Sequence, residues 1–195
     1  MVLVSQPDLI AGAIAGRVVS FPTDTVPALA VKPNLANQIF QLKQRPSNKP
    51  LILLGASIDD LLPYVTYSDA ELAIWQDLIH KHLPGALTLV LPASSKVPTA
   101  VNPTDSANVG IRIPQSAIAQ EILQQTGVLA TSSANLSGQS NLVTTNEIEM
   151  AFPSILVLNQ VNLPLNSPLG SGLPSTVIRW QNGTWQILRQ GSITI

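Results

Sequence analysis

From Thr25 to Ile58 the chain contains no acidic residue, yet Lys32, Lys43, Arg45 and Lys49 all fall inside that stretch. Three of these cations lie within the seven residues from Lys43 to Lys49, just ahead of the apolar run Leu51–Leu54. Cations in the last turn of a helix complement the negative end of its dipole, so C-terminal capping is one reading. The other is an anion site, because arginine offers a planar fork and lysine a point charge to phosphate oxygens.

Three further segments place reactive or ligand-binding side chains beside strand-like runs. Pro22-Thr23-Asp24-Thr25 follows the run Arg17–Phe21, at the carboxyl end where open α/β sheets bind ligands. The same residues also suit a turn in which Asp and Thr side chains bond their own backbone. Thr131-Ser132-Ser133-Ala134-Asn135, running into Ser137-Gly138, supplies hydroxyls and an amide either to a polar pocket or to caps and turns. Arg112 lies inside the apolar run Val109–Ile113, and a buried guanidinium cannot shed its charge. It therefore needs a partner, which can be a carboxylate ligand, Asp24 or Glu121.

Absent motifs remove several classes of chemistry. Without cysteine there is no disulfide, thiolate nucleophile or Cys-bound zinc. No Gly-x-x-x-x-Gly-Lys-Ser/Thr loop and no Gly-x-Ser-x-Gly elbow occur, and Gly170-Ser171-Gly172 is too short for a dinucleotide fingerprint. His80 and His82 stand two apart, on different faces of a helix, which suits neither a metal pair nor a Ser-His triad.

The elements that must position these residues alternate between helix and strand, the pattern of a layered α/β domain. Helices are expected over Pro7–Ala15 and over Asn34–Gln44 with Asn34 as its cap. Three more are expected over Asp69–Lys81 behind the Ser68/Glu71 capping box, over Ala117–Gln125, and after the Thr144/Glu147 box. Strands are expected over Arg17–Phe21, Leu51–Leu54, Leu87–Leu91, Val109–Ile113, Val128–Ala130 and Ile155–Leu158. Asn182-Gly183, between Thr176–Trp180 and Thr184–Leu188, marks a type I′ hairpin, so the sheet must be mixed. Asn159–Pro174 reads as a long loop.

A chain of 195 residues matches one domain by the usual ~100–200 residues each, and we read 1–195 as a single unit. With 45% hydrophobic and 11% charged residues it must bury a core, and disorder is excluded. Ten Lys+Arg against eleven Asp+Glu rule out a uniformly basic nucleic-acid coat, so any polyanion site must be local. The first 21 residues lack a basic leader, and no apolar run reaches the ~18 residues of a membrane span despite a mean hydropathy of +0.28. The expected location is the cytoplasm.

Taken in order, the motifs resemble one family, the threonylcarbamoyl-AMP synthases of YrdC-like fold in their short form, which start the t6A modification of tRNA. The matching segments are Phe21-Pro22-Thr23-Asp24-Thr25, Leu42-Lys43-Gln44-Arg45-Pro46 with Lys49-Pro50-Leu51, Pro84-Gly85-Ala86-Leu87-Thr88 and Val109-Gly110-Ile111-Arg112-Ile113-Pro114. They continue with Thr131 to Gly138, Pro174-Ser175-Thr176-Val177 and Leu188-Arg189-Gln190-Gly191. The resemblance implies a twisted mixed sheet with helices around a concave basic cavity. It implies a reaction of L-threonine, bicarbonate or CO2 and ATP, with Mg2+ on the phosphates, and the tRNA t6A transferase machinery downstream. The family's Lys, Arg, Ser, Asn signature falls on Lys43, Arg45, Ser133 and Asn135. By the same resemblance Thr25, Arg112 and Ser175 would hold threonine, while Lys43, Ser47, Thr88, Ser133 and Arg189 would face ATP; no protein metal ligand is implied.

One segment departs from the family. Val26-Pro27-Ala28-Leu29 stands where Val-Tyr-Gly-Leu is usual, so an aromatic ring and a backbone donor are lost, and a positive φ at Ala28 would be strained. That departure motivates a second expectation, a relative that binds double-stranded RNA, tRNA or ribosomal RNA without catalysis. A third is carbamoyl or nucleotidyl transfer to another amino acid. Beyond Gly191 the chain is too short for the second domain of the long family form, so any lid is expected from the 159–174 loop.

Overall fold

The computed structural model describes residues 3–161 and 163–195; Met1, Val2 and Asn162, which belong to the expected 1–195 unit, and in the last case to the expected 159–174 loop, lie outside the described residues. The strands are β1 (Leu3–Val4), β2 (Val19–Phe21), β3 (Ala28–Val31), β4 (Ile52–Leu54), β5 (Leu87–Pro92), β6 (Asn108–Arg112), β7 (Leu129–Ser133), β8 (Leu156–Leu158), β9 (Thr176–Gln181) and β10 (Thr184–Arg189). The helices are α1 (Gln6–Ile14), α2 (Asn37–Lys43), α3 (Ile58–Leu61), α4 (Asp69–His82), α5 (Ala117–Thr126) and α6 (Thr145–Ala151). All ten strands form one mixed sheet in the order β1-β8-β2-β3-β7-β4-β6-β5-β9-β10. The pairs β1/β8, β2/β8, β4/β6 and β5/β9 are parallel and the others antiparallel.

Local chemistry accounts for most boundaries. Ser68 and Glu71 close their capping box at the start of α4, and Thr144 and Glu147 do the same for α6. At the hairpin between β9 and β10, Asn182 and Gly183 take φ values of 52° and 76°, the two left-handed positions of a type I′ turn.

Two expectations fail. Asn34 caps no α-helix: Pro33, with its fixed φ, opens a 3-10 turn over Pro33–Leu35, and α2 starts only at Asn37 behind Ala36, which makes no side-chain cap bond. The Val128–Ala130 strand runs instead from Leu129 to Ser133, because β3 on one side and β4 on the other extend its pairing. The short elements β1, β3 and α3 were not expected at all. Ala28, in question for its φ, is an ordinary strand residue opposite Ser133. Among the described residues no helix is long and apolar enough to cross a membrane.

Alternation along the strands sorts side chains into two layers. Leu53, Leu87, Leu89, Leu91, Val109, Ile111, Ile178 and Trp180 enter the larger core, where Trp75 of α4 meets Trp180 edge-on with ring centroids 6.0 Å apart. Such an aromatic pair adds about 0.5–1.5 kcal/mol beyond its burial and pins α4 against β9. On the opposite face α1 and α5 bring Leu9, Ile10, Ala13, Ala119, Ile122 and Leu123 onto β2, β3, β7 and β8. Leu54 of β4 still joins this second core, but the alternate side chains of β6, β5 and β9 lie beyond that cover, and there the sheet opens into a cavity.

Candidate active site

The cavity measures about 450 Å3 and its floor is the sheet itself. Ile52, Leu54, Thr88, Val90, Asn108, Gly110, Arg112, Thr131, Ser133, Val177 and Arg179 line it, every one at a second position along its strand. Thr88, Asn108, Arg112, Thr131 and Ser133 make this half of the face too polar to bury under a helix without partners, and Gly110 keeps its centre flat. A Cβ on Gly110 would sit 2.7 Å from Cγ2 of Ile52. Arg45, Arg112, Arg179, Arg189 and Asp105 are the charged residues of the lining.

At one end Arg112 is buried and its guanidinium is largely specified. Nε donates to the Gly85 carbonyl at 2.9 Å, Nη1 to Oγ1 of Thr25 at 2.7 Å, and Nη2 to Oδ1 of Asp24 at 2.6 Å. Of the partners open at the sequence level, Asp24 is thus the one used within the protein; Glu121 accepts from Gln6 instead. Burial lowers the Arg112 pKa, and the Asp24 carboxylate opposes that shift. Because the single Thr23 hydroxyl proton goes to the Val26 carbonyl at 2.7 Å, it is Thr25 that donates in the 3.1 Å bond between the two hydroxyls. One N–H remains free on each terminal nitrogen of Arg112. Above this relay the 170–172 segment is tied down by Ser171 N–H to Asp24 O and Gly172 N–H to Thr25 O.

At the other end Lys43, in the last turn of α2, is fully buried. Its Nζ donates to Oγ of Ser132 at 2.8 Å, to Oδ1 of Asn135 at 3.0 Å and to the Ser133 carbonyl. Ser133 donates to the same Asn135 oxygen at 2.6 Å, and Nδ2 of Asn135 donates to Gln139 O at 2.7 Å. Burial first, then the nearby charges of Arg45 and Lys49, bring the Lys43 pKa down to about 7. Arg45, which lines the cavity, spends Nε and one Nη2 proton on the carbonyls of Lys49 and Pro50.

Between the two ends Thr88 and Ser175 share a hydrogen bond of 2.8 Å, and Arg189 donates to Oγ of Ser175 at 3.2 Å and to its carbonyl at 2.8 Å. Of the residues expected at a site, Thr25, Arg45, Thr88, Arg112, Ser133, Ser175 and Arg189 therefore line one cavity. Lys43 and Asn135 do not line it but stand directly behind Ser133, and Ser47 is exposed, its carbonyl accepting from Thr104 at 3.4 Å. Thr23, from the Pro22–Thr25 segment, also lines it, and so do Asn102, Asp105, Asn108, Asn141 and Arg179, which had not been singled out. For Asn108 the strand itself offered a signal, since it shares parity with the expected Arg112; Arg179 shares parity with Val177 of the Pro174–Val177 motif.

No group of three or more His, Asp or Glu side chains that could hold a metal ion occurs among the described residues. The described residues thus offer no dedicated metal cage, which an ion carried on nucleotide phosphates does not need.

Comparison with known proteins adds three findings. The Sua5_yciO_yrdC family model, described as "Telomere recombination", matches residues 14–191. Proteins named threonylcarbamoyl-AMP synthase are similar to the chain: that of Vibrio campbellii is 33% identical over 181 residues, covering 90% of this chain and 93% of the relative, and that of Bos taurus is 31% identical, covering 91% and 64%. The crystal structure of P. abyssi Sua5 complexed with L-threonine superposes with a TM-score of 0.83 at 28% identity, over 95% of this chain; the chain spans 54% of the length of that protein.

Proposed function

From the membership of this chain in the Sua5, YciO and YrdC family, we propose that it is a threonylcarbamoyl-AMP synthase, joining L-threonine, bicarbonate or CO2 and ATP into threonylcarbamoyl-AMP with release of pyrophosphate. The observation that carries this reading is one cavity with the Arg112–Thr25 pair at one end and Arg45 with the Lys43–Ser133–Asn135 cluster at the other. Its volume lies in the ~300–1,000 Å3 range of small-molecule sites.

The chemistry asks the protein for positioning and charge neutralisation. The threonine amine gives its lone pair to the carbon of CO2 and a proton to solvent; a carbamate oxygen then attacks the α-phosphorus as pyrophosphate leaves, and no enzyme nucleophile is needed. Arg112 holds the threonine carboxylate with its two free N–H groups, in a pocket where Asp24 keeps the guanidinium oriented. Thr25, whose proton is committed to Thr23, presents a lone pair to the substrate hydroxyl, a readout that a substrate lacking that group leaves unsatisfied. Arg45 and Arg189 direct their free N–H groups to phosphate oxygens. Lys43, with its Nζ bonded to three acceptors, acts through Ser133 and Asn135 and fixes their orientation. Residues 1–195 work as one cytoplasmic unit, and the product is consumed by the machinery that transfers threonylcarbamoyl to tRNA.

The test is direct. Incubated with threonine, bicarbonate, ATP and Mg2+, the protein should release pyrophosphate and form threonylcarbamoyl-AMP detectable by mass spectrometry, with serine a poorer substrate. Neither product appearing, even at high protein concentration, overturns the reading.

A further inference from the structure

Among the cations of the cavity, Arg179 is the least committed. Arg45, Arg112 and Arg189 each spend N–H groups on carbonyl, hydroxyl or carboxylate oxygens. Arg179 has one ionic contact, Nη2 to Oδ2 of Asp105 at 3.6 Å, longer than a hydrogen bond. Its Nε is buried and has no partner, although the side chain as a whole is 30% exposed toward the cavity. A buried donor without an acceptor is costly and calls for a missing partner.

Its neighbours are arranged to let it go. Both oxygens of Asp105 already accept from Nδ2 of Asn108, at 2.9 and 3.1 Å, and the Asp105 backbone N–H is held by Oδ1 of Asn102 at 3.2 Å. Asp105 thus stays in place whether or not Arg179 remains beside it. Along the sheet Arg179 pairs with Val90, Val90 with Gly110, and Gly110 with Ile52, so it stands at the end of the one apolar row that crosses the otherwise polar floor of the cavity. An anion lying over that floor lies within its reach.

We propose that Arg179 is a nucleotide-binding residue: on entry of ATP its guanidinium leaves Asp105 and donates Nε–H and Nη–H to phosphate oxygens, with Asp105 acting as the counterion that holds the arginine until then. The inference rests on the synthase reading above. Arginine suits the role because its fork can bond two phosphate oxygens at once. Asp105 also competes with the phosphate, so it sets affinity as well as position.

Isothermal titration of ATP, adenosine and L-threonine against wild type, Arg179→Met, Arg179→Lys, Asp105→Asn and the Arg179→Met/Asp105→Asn double variant tests this. Loss of a charge-assisted pair should weaken ATP about tenfold in Arg179→Met, less in Arg179→Lys, and leave adenosine and threonine unchanged. Asp105→Asn should tighten ATP severalfold, and that gain should vanish in the double variant. Unchanged ATP affinity in Arg179→Met overturns the inference alone, as does a parallel loss for adenosine or threonine, which marks a structural role. A wild-type protein that binds no ATP overturns the synthase reading together with it.

Discussion

Burial, with added repulsion from Arg45 and Lys49, holds the Lys43 pKa at about 7 against 10.5 for a free lysine. Between those two values the unfolded chain binds a proton that the folded protein does not, so stability from this group rises with pH across the window and its penalty is complete below pH 7. Urea unfolding at pH 6.5 and pH 9 should therefore show the wild type gaining about 2.5 kcal/mol relative to Lys43→Met, at about 1.36 kcal/mol for each pH unit above the folded pKa. A flat difference between the two proteins would place the lysine in an environment unlike this one. The residue types at this scale were legible before folding was considered: an arginine inside an apolar strand demands a counterion, and Lys43 precedes a buried strand. The choice of partner was not: Asp24 stood beside Glu121 and a ligand carboxylate as candidates for Arg112 from 88 positions away, and Lys43 meets Asn135 from 92 positions away. The Pro27-Ala28 departure also changes meaning in the fold. Ala28 pairs with Ser133 in the sheet, and the Pro27 carbonyl accepts from Ala134 N–H at 2.9 Å, so the segment supports the Ser-Asn loop without a donor or a positive φ.

Elements with a local signature appear where the sequence places them: α4 and α6 behind their capping boxes, α5 behind Ser116, and β9–β10 around Asn182-Gly183. Those that escape notice are two to four residues long: α3 does carry a local mark, the Ser57/Asp60 capping box, on a single turn of helix, whereas β1 and β3 are defined by what they pair with. The 170–172 segment is of the same kind, with little local pattern and a decisive docking. Gly170 has φ 71°, and a Cβ there would lie 2.5 Å from the carbonyl oxygens of both Thr23 and Thr25. Gly170→Ala should lift the segment from the Thr23–Thr25 relay and weaken threonine binding severalfold while the protein stays folded, measured by titration alongside circular dichroism. Threonine affinity equal to wild type would show that the segment does not support that end of the cavity.

At the scale of the molecule the decisive feature is unequal cover. One face of the sheet is packed along the larger core, whereas α1 and α5 cover the other from β8 only as far as Leu54 of β4. A ligand that fills the remaining groove binds the folded chain alone and so stabilises it. ATP at ~100 times its Kd should add ~2.7 kcal/mol to unfolding, and a chain of this size should then melt roughly 5–10 °C higher by calorimetry. No shift at saturating ATP would remove the groove as the nucleotide site. The near-neutral net charge of −1 agrees with a site built from a few placed arginines, since charge sums over the chain while binding depends on where each cation stands.

Composition, periodicity, caps and the order of motifs in this sequence determine an α/β chain with a mixed sheet, a hairpin after residue 176 and the residues of a small anionic and polar ligand site. These follow from interactions within a few positions of one another, which any folded context must respect. The tertiary structure alone decides that Asp24 is the partner of Arg112, that Lys43 stands behind Ser133 and not in the cavity, and that Arg179 joins the site while Ser47 stays outside. Each of those outcomes depends on strands paired across dozens of residues and on which half of a sheet face its helices reach, and short-range patterns carry no record of either.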